Sequence, residues 1–166
     1  MIYLNQTPAN KTYVLSTMNV PFGTEVAFGD GTVYQYIYQD SASPASVAEG
    51  DWVFIGAVGL ATADNPAASP AATTAIPQNV GVAIDDYTVA GGMWVQTKGI
   101  GNAKVDGTDD VTIGDQLQLV NAAVHAVKDG GTALTVDSVA IALEAYTTGA
   151  AALKSVYIHG RAAIIG

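Results

Sequence analysis

Apolar and polar positions along this chain alternate with a period of two. In Val33-Tyr-Gln-Tyr-Ile-Tyr38 the tyrosines 34, 36 and 38 share one strand face, and Val33, Gln35 and Ile37 share the other. The tight-turn signal Gly29-Asp-Gly31 precedes this run, so residues 25–38 are predicted as a hairpin. Asp51-Trp-Val-Phe-Ile55 is apolar on both faces and reads as a short buried strand. Val80–Ile84, Met93–Thr97, Gln116–Val120, Val124–Val127, Val139–Leu143, Ser155–His159 and Ala162–Ile165 continue the series. Gly91-Gly92, Asp106-Gly107, Gly114-Asp115 and Asp129-Gly-Gly131 fall between them as turn signals. No stretch holds an apolar period of about 3.6 residues for more than two turns. The pattern predicts an all-β, single-domain sandwich or barrel of about nine short strands.

Two segments lack this alternation. Residues 1–20 are predicted as an extended N-terminal arm preceding a β-domain over 21–166. Within that domain, residues 61–79 are rich in Ala, Pro, Ser and Thr and hold a single charge, Asp64. So long a structureless run is unusual inside a domain. It reads either as an expendable surface loop or as a loop that orders against a neighbouring subunit. The strands also carry an internal echo. Gly50-Asp51, Val82-Ala-Ile84, Tyr87-Thr88, Gly91 and Trp94 are followed in the same order by Gly114-Asp115, Val139-Ala-Ile141, Tyr146-Thr147, Gly149 and Tyr157. Two similar β-modules sharing one core would produce it, and would suit a closed barrel without aggregation-prone edges.

Composition narrows the class. The 166 residues hold 6 Lys+Arg against 15 Asp+Glu, a net charge of −9, with 49% hydrophobic and only 13% charged positions. So acidic a chain, with its cations scattered from Lys11 to Arg161, is not expected to bind nucleic acid. The absence of cysteine excludes disulfides, thiolate metal sites and a thiol nucleophile. The N-terminus shows neither the basic start nor the apolar run of a signal peptide, and runs such as Ser138–Leu143 are far too short to span a membrane as a helix. No membrane partner is expected.

Candidate chemistry is sparse. His125 and His159 stand outside any metal-binding or catalytic motif, each within a strand-like alternation. No Gly-x-Ser-x-Gly occurs. Asp106-Gly-Thr-Asp-Asp110, with Asp115 behind it, could offer oxygens to a hard cation, but departs from the EF-hand spacing and suits a tight turn. Gly99-Ile-Gly101-Asn-Ala-Lys104 matches no phosphate loop and reads as a hairpin turn followed by a lysine. The Tyr34/Tyr36/Tyr38 stripe is either a cross-strand aromatic ladder or an interface. No enzyme activity and no cofactor are expected.

The runs Gly31–Tyr38, Val47-Ala-Glu-Gly50-Asp51-Trp-Val53, Gly81–Ile84, Gly91–Gly99, Gly114–Leu119 and Val139–Glu144 form a cadence of Gly-Asp, strand, Gly-Val-Ala, turn, Gly, strand, Gly. Over roughly residues 22–161 that cadence resembles the small β-rich capsid decoration, or cement, proteins of tailed bacteriophages. The 61–79 insertion and the segment before Pro21 depart from it. The resemblance implies a homotrimeric virion protein, made in the host cytoplasm, that sits on the outer capsid surface and clamps subunits of the major capsid protein. The expected contact positions are Tyr3, Leu4 and Tyr13 in the N-terminal segment, Tyr34, Tyr36 and Tyr38 on the stripe, and Pro66, Pro70 and Pro77 in the insertion. The rival expectation is a phage fibre or other recognition module whose exposed aromatics, Trp52, Trp94 and the tyrosine stripe, line a groove for host glycan.

Overall fold

A computed structural model describes residues 1–5, 10–39, 47–55, 63–64, 78–87, 91–119, 123–130, 138–159 and 161–162. The predicted hairpin forms as β2 (Glu25–Phe28) and β3 (Val33–Gln39), antiparallel, with Gly31 at φ 83° in the turn. Around it lie β1 (Ile2–Leu4), β4 (Trp52–Ile55), β5 (Ala63–Asp64), β6 (Gln78–Ala83), β7 (Gly91–Val105) and β8 (Gln116–Leu119). β9 (Ala126–Lys128), β10 (Ser138–Ala142), β11 (Ala152–Ile158) and β12 (Arg161–Ala162) complete the all-β domain. β5 and the start of β6 lie within the 61–79 insertion and pair with β4, so part of the run expected to be structureless belongs to the sheet.

β7 organises the molecule. Its first half pairs with β3 on one edge and β6 on the other. Its second half pairs with β11, and the path β7-β11-β10-β8-β9 returns to β7 where Val105 meets Ala126. Those five strands make a closed barrel. Leu117, Val139, Ala140, Val156 and Ile158 fill it, fully buried, in a core that runs on to Trp52 and Val82. In the open half, Met93 and Val95 point to one core with Ile37, Val53 and Ile55, while Trp94 points to another with Phe28 and Leu15. The run Met93-Trp-Val95 is therefore apolar on both faces because this part of the sheet is covered on both faces.

Gly99-Ile-Gly101, expected as a hairpin turn, lies inside β7. The strand runs on through it in unshifted register with β11 and bulges just before it, at Thr97, where the register against β3 shifts; Gly99 adopts φ 93° against Thr32. The Gln96 side chain, only 5% exposed, donates from Nε2 to the carbonyls of Lys98 (3.1 Å) and Ile100 (2.9 Å). Those bonds tie the bulged segment of β7 to the strand that continues beyond it.

Residues 1–5 and 10–20 hold a short strand and a short helix on the domain, where an extended arm was expected. β1 adds a parallel edge to β2, and α1 (Lys11–Ser16) is capped by Asn10, whose side chain accepts from the Tyr13 N–H at 2.9 Å. Leu15 is fully buried, and Leu4, Val14, Met18 and Val20 pack beside it over the aromatic core.

The echo is a structural repeat. Val47 bridges Tyr87 as Val111 bridges Tyr146. Gly50 N–H donates to Ala83 O and Gly114 N–H to Ala142 O, each at 2.9 Å. Ala83 returns a bond to Asp51 O, and Ala142 to Asp115 O, again at 2.9 Å. Both glycines are left-handed, φ 81° and 91°. Each following aspartate accepts from the backbone three residues back, Ala48 N–H at 2.9 Å and Thr112 N–H at 2.7 Å. The equivalence pairs Ala83 with Ala142, two residues beyond the match between Val82-Ala-Ile84 and Val139-Ala-Ile141. The Gly-Asp turns anchor the registers, and the apolar triplets follow them.

Candidate functional site

The tyrosine stripe forms an aromatic ladder under a cover. Tyr34 is 6% exposed and meets Phe28 edge-on at 5.6 Å between ring centroids. Tyr36 stacks on Phe22 at 5.1 Å and tilts against its cross-strand partner Trp94 at 5.0 Å. Tyr38 meets the other side of Phe22 edge-on at 5.3 Å. Tyr36 reaches across β7 over Gly92, where a Cβ would overlap its hydroxyl. Trp94 and Trp52 are buried, the latter donating its indole N–H to Lys104 O at 3.1 Å. Of the aromatics expected to line a glycan groove, Trp52, Trp94 and Tyr34 are thus buried, while Tyr36 and Tyr38 are half-buried against Phe22.

Two small clefts of about 210 and 200 Å3 flank α1, and Thr12 and Ile84 border both. Glu49, Gln96 and Asn102 add polar groups to the first, while Asp85 and Tyr87 add them to the second. The Tyr87 hydroxyl accepts from the Trp94 N–H at 3.0 Å, and burial pushes its pKa up to about 12. It is spent on fixing β7.

The titratable groups elsewhere are spent on turns. Asp106 accepts from Thr108 N–H at 2.8 Å and from its hydroxyl, which hold its carboxyl below the usual range. Asp115 accepts from Thr112 N–H and from Lys128 Nζ at 2.9 Å, with the same effect. His125 Nε2 stands 3.8 Å from Asp106. His159 meets the buried Ser138 hydroxyl at 3.2 Å, and partial burial pushes its pKa down. Among the described residues no three His, Asp or Glu side chains gather as a metal site.

Of the expected contact positions, Tyr3 and Tyr13 are 65% and 67% exposed, Leu4 is half-buried in the aromatic core, and on the stripe Tyr34 is buried while Tyr36 and Tyr38 are half-buried. Pro66, Pro70 and Pro77 lie outside the described residues. Exposed Met1 and Ile2 extend the surface of Tyr3 along β1, the open end of the strand path. Sequence reasoning missed the apolar outer face of the barrel, where Ile100 is 62% and Leu153 43% exposed. Its signal was present as apolar residues at the polar phase of the alternation in β7 and β11.

No family model matches this chain, and no curated protein does. Among solved structures, the head fibre gp8.5 N base of bacteriophage phi29 is similar at 14% identity and a TM-score of 0.48, with 75% of this chain and 93% of that chain covered.

Proposed function

We propose that this chain is a structural protein of a tailed-phage head that binds the assembled capsid surface and stabilises it by bridging neighbouring capsid subunits. One observation carries the reading: the described N-terminal residues expose apolar side chains, hold no carboxylate and are packed on a folded domain. Residues 1–24 contain no carboxylate, although the whole chain carries −9. Their only charged side chain, Lys11, is paired with Asp30. Met1, just before β1, is 79% exposed, Tyr3 on β1 65% and Tyr13 on α1 67%, while Leu4, Val14 and Leu15 of those elements join the aromatic core. Exposed Tyr and Met without neighbouring charge are what protein interfaces favour. The open edge of β1 offers main-chain groups to a capsid strand. The resemblance to decoration proteins supports the same assignment.

A chain that binds the assembled shell and not its free subunits stabilises the shell by mass action. The test is to mix the purified protein with undecorated, expanded phage heads. Binding at many copies per head, with a raised disruption temperature, is expected. Tyr3→Glu with Tyr13→Glu should weaken that binding at least about tenfold. Heads that neither retain the protein nor gain stability would refute the reading.

A further inference from the structure

We propose that the cleft between α1 and the middle of β7 is a binding site for an alkylammonium group, a short apolar chain that ends in a primary ammonium. The inference goes beyond the capsid reading and requires no capsid.

A buried amide carries it. Gln96 is 5% exposed, and its two partners, the carbonyls of Lys98 and Ile100, identify the bonded end of the amide as the nitrogen. The other end is therefore the oxygen, and among the described residues it accepts no hydrogen bond. It lies over Gly101, which also lines the cleft and where a Cβ would overlap it. Buried acceptors in folded chains are nearly always paired. One beside an open cleft of about 210 Å3 selects a ligand that donates.

The rest of the lining gives that donor its charge and its chain. Glu49 is exposed, and its carboxylate meets no cation among the described residues; only its backbone N–H is used, on Asp86. The lysines close in sequence to the lining do not neutralise it. Lys104 is held by Asp51 at 2.6 Å and Lys11 by Asp30, while Lys98 is exposed on β7 and does not border the cleft. The Asn102 amide and the Thr12 hydroxyl, neither bonded to another described residue, add acceptors, and Ile84 and Ile100 offer apolar wall to methylenes.

This set disfavours other ligands. An anion would meet Glu49 with no opposing cation. A divalent metal would find one carboxylate, and no three His, Asp or Glu side chains gather among the described residues. A purely apolar chain would leave the Gln96 oxygen unpaired. The second cleft beside α1 holds Asp85, but its Tyr87 hydroxyl already accepts from the Trp94 N–H, so it lacks the same demand for a donor.

The ammonium can belong to a free diamine or to a lysine side chain of a protein partner, and one titration separates them. Putrescine and Nα-acetyl-lysine N-methylamide are added separately to the isotope-labelled full chain, and the side-chain amide signals of Gln96 and Asn102 are followed by NMR. Saturable shifts of both amides are expected, weakening as salt is raised. Glu49→Gln should weaken binding about threefold to fivefold. Asp109→Asn, which removes the same charge from an exposed turn, should leave it unchanged. Butanediol, similar in length to putrescine but uncharged, should not compete. Circular dichroism and thermal unfolding establish that the variants remain folded. Tighter binding of putrescine assigns the site to a free diamine, and tighter binding of the blocked lysine assigns it to a partner's side chain. The proposal is overturned if neither probe gives a saturable shift, if Glu49→Gln binds as the wild type does, or if Asp109→Asn loses as much. None of these outcomes depends on phage heads, so failure here leaves the capsid reading standing.

Discussion

Gln96 does what an apolar residue of its size could not. It sits at the bulge of β7, nine-tenths buried and more, and its amide donates hydrogen bonds to the carbonyls of Lys98 and Ile100. Gly101 leaves room for it, since a Cβ there would overlap the amide. Gln96→Leu keeps the volume and removes both buried bonds, so it should destabilise the fold by about 1–3 kcal/mol. Urea unfolding measures this, and a loss within experimental error would show that water replaces the amide. This arrangement explains why Gly99-Ile-Gly101 reads as a turn in the sequence. Glycine pairs punctuate chains, and nothing local reveals that a side chain upstream will carry the strand through. The tyrosine stripe is legible for the opposite reason: alternation is a local property. That Phe22 would insert between Tyr36 and Tyr38 is not local, and neither is the cover that α1 provides.

Period-two runs bounded by glycine and aspartate predict most described strands to within a few residues, although β7 continues from the predicted Met93–Thr97 to Val105 and the Ala162–Ile165 prediction lies outside the described residues beyond Ala162. The exceptions are instructive. β1 is only three residues long, β5 two, and α1 six, too short for any period to declare itself. The one signal for α1 is its cap: Asn10 followed by apolar Val14, Leu15 and Met18. A six-residue helix has little stability of its own. Its place therefore depends on Leu15, and Leu15→Ala should cost about 2–5 kcal/mol, against less than about 0.5 for Tyr13→Ala on the exposed side. Thermal unfolding of the two variants makes the comparison. Equal losses would mean that the helix is not anchored through its buried face.

For the whole molecule, the repeat was legible as an order of elements, but its register was not. The apolar triplets look alike in sequence, whereas the equivalence is set by the Gly-Asp turns at 50–51 and 114–115. The second of those turns, together with the Asp106-Gly107 turn, also links the fold to pH. Backbone and hydroxyl donors, with Lys128 at Asp115, hold the carboxyls of Asp106 and Asp115 below their ordinary values. A depressed folded-state value means that the contribution is complete above the unfolded pKa, about 3.9, and is lost as pH falls through the folded one. Stability should therefore drop below about pH 4, and Asp115→Asn should flatten that drop as well as lower the plateau above it. Denaturation midpoints measured across this range check it; an unchanged slope in the variant would exclude Asp115 as a source.

β7 has one more consequence. Its fifteen residues, roughly 50 Å at the usual rise, run unbroken through the open half and into the barrel. Tension applied between the two halves would travel along a single covalent backbone. The ladders to β3 and β11 flank it along its length and would be loaded in shear, many bonds at once, not peeled one by one. The molecule is thus built to resist stretching along this axis and to yield more readily when β1 is pulled sideways from its edge.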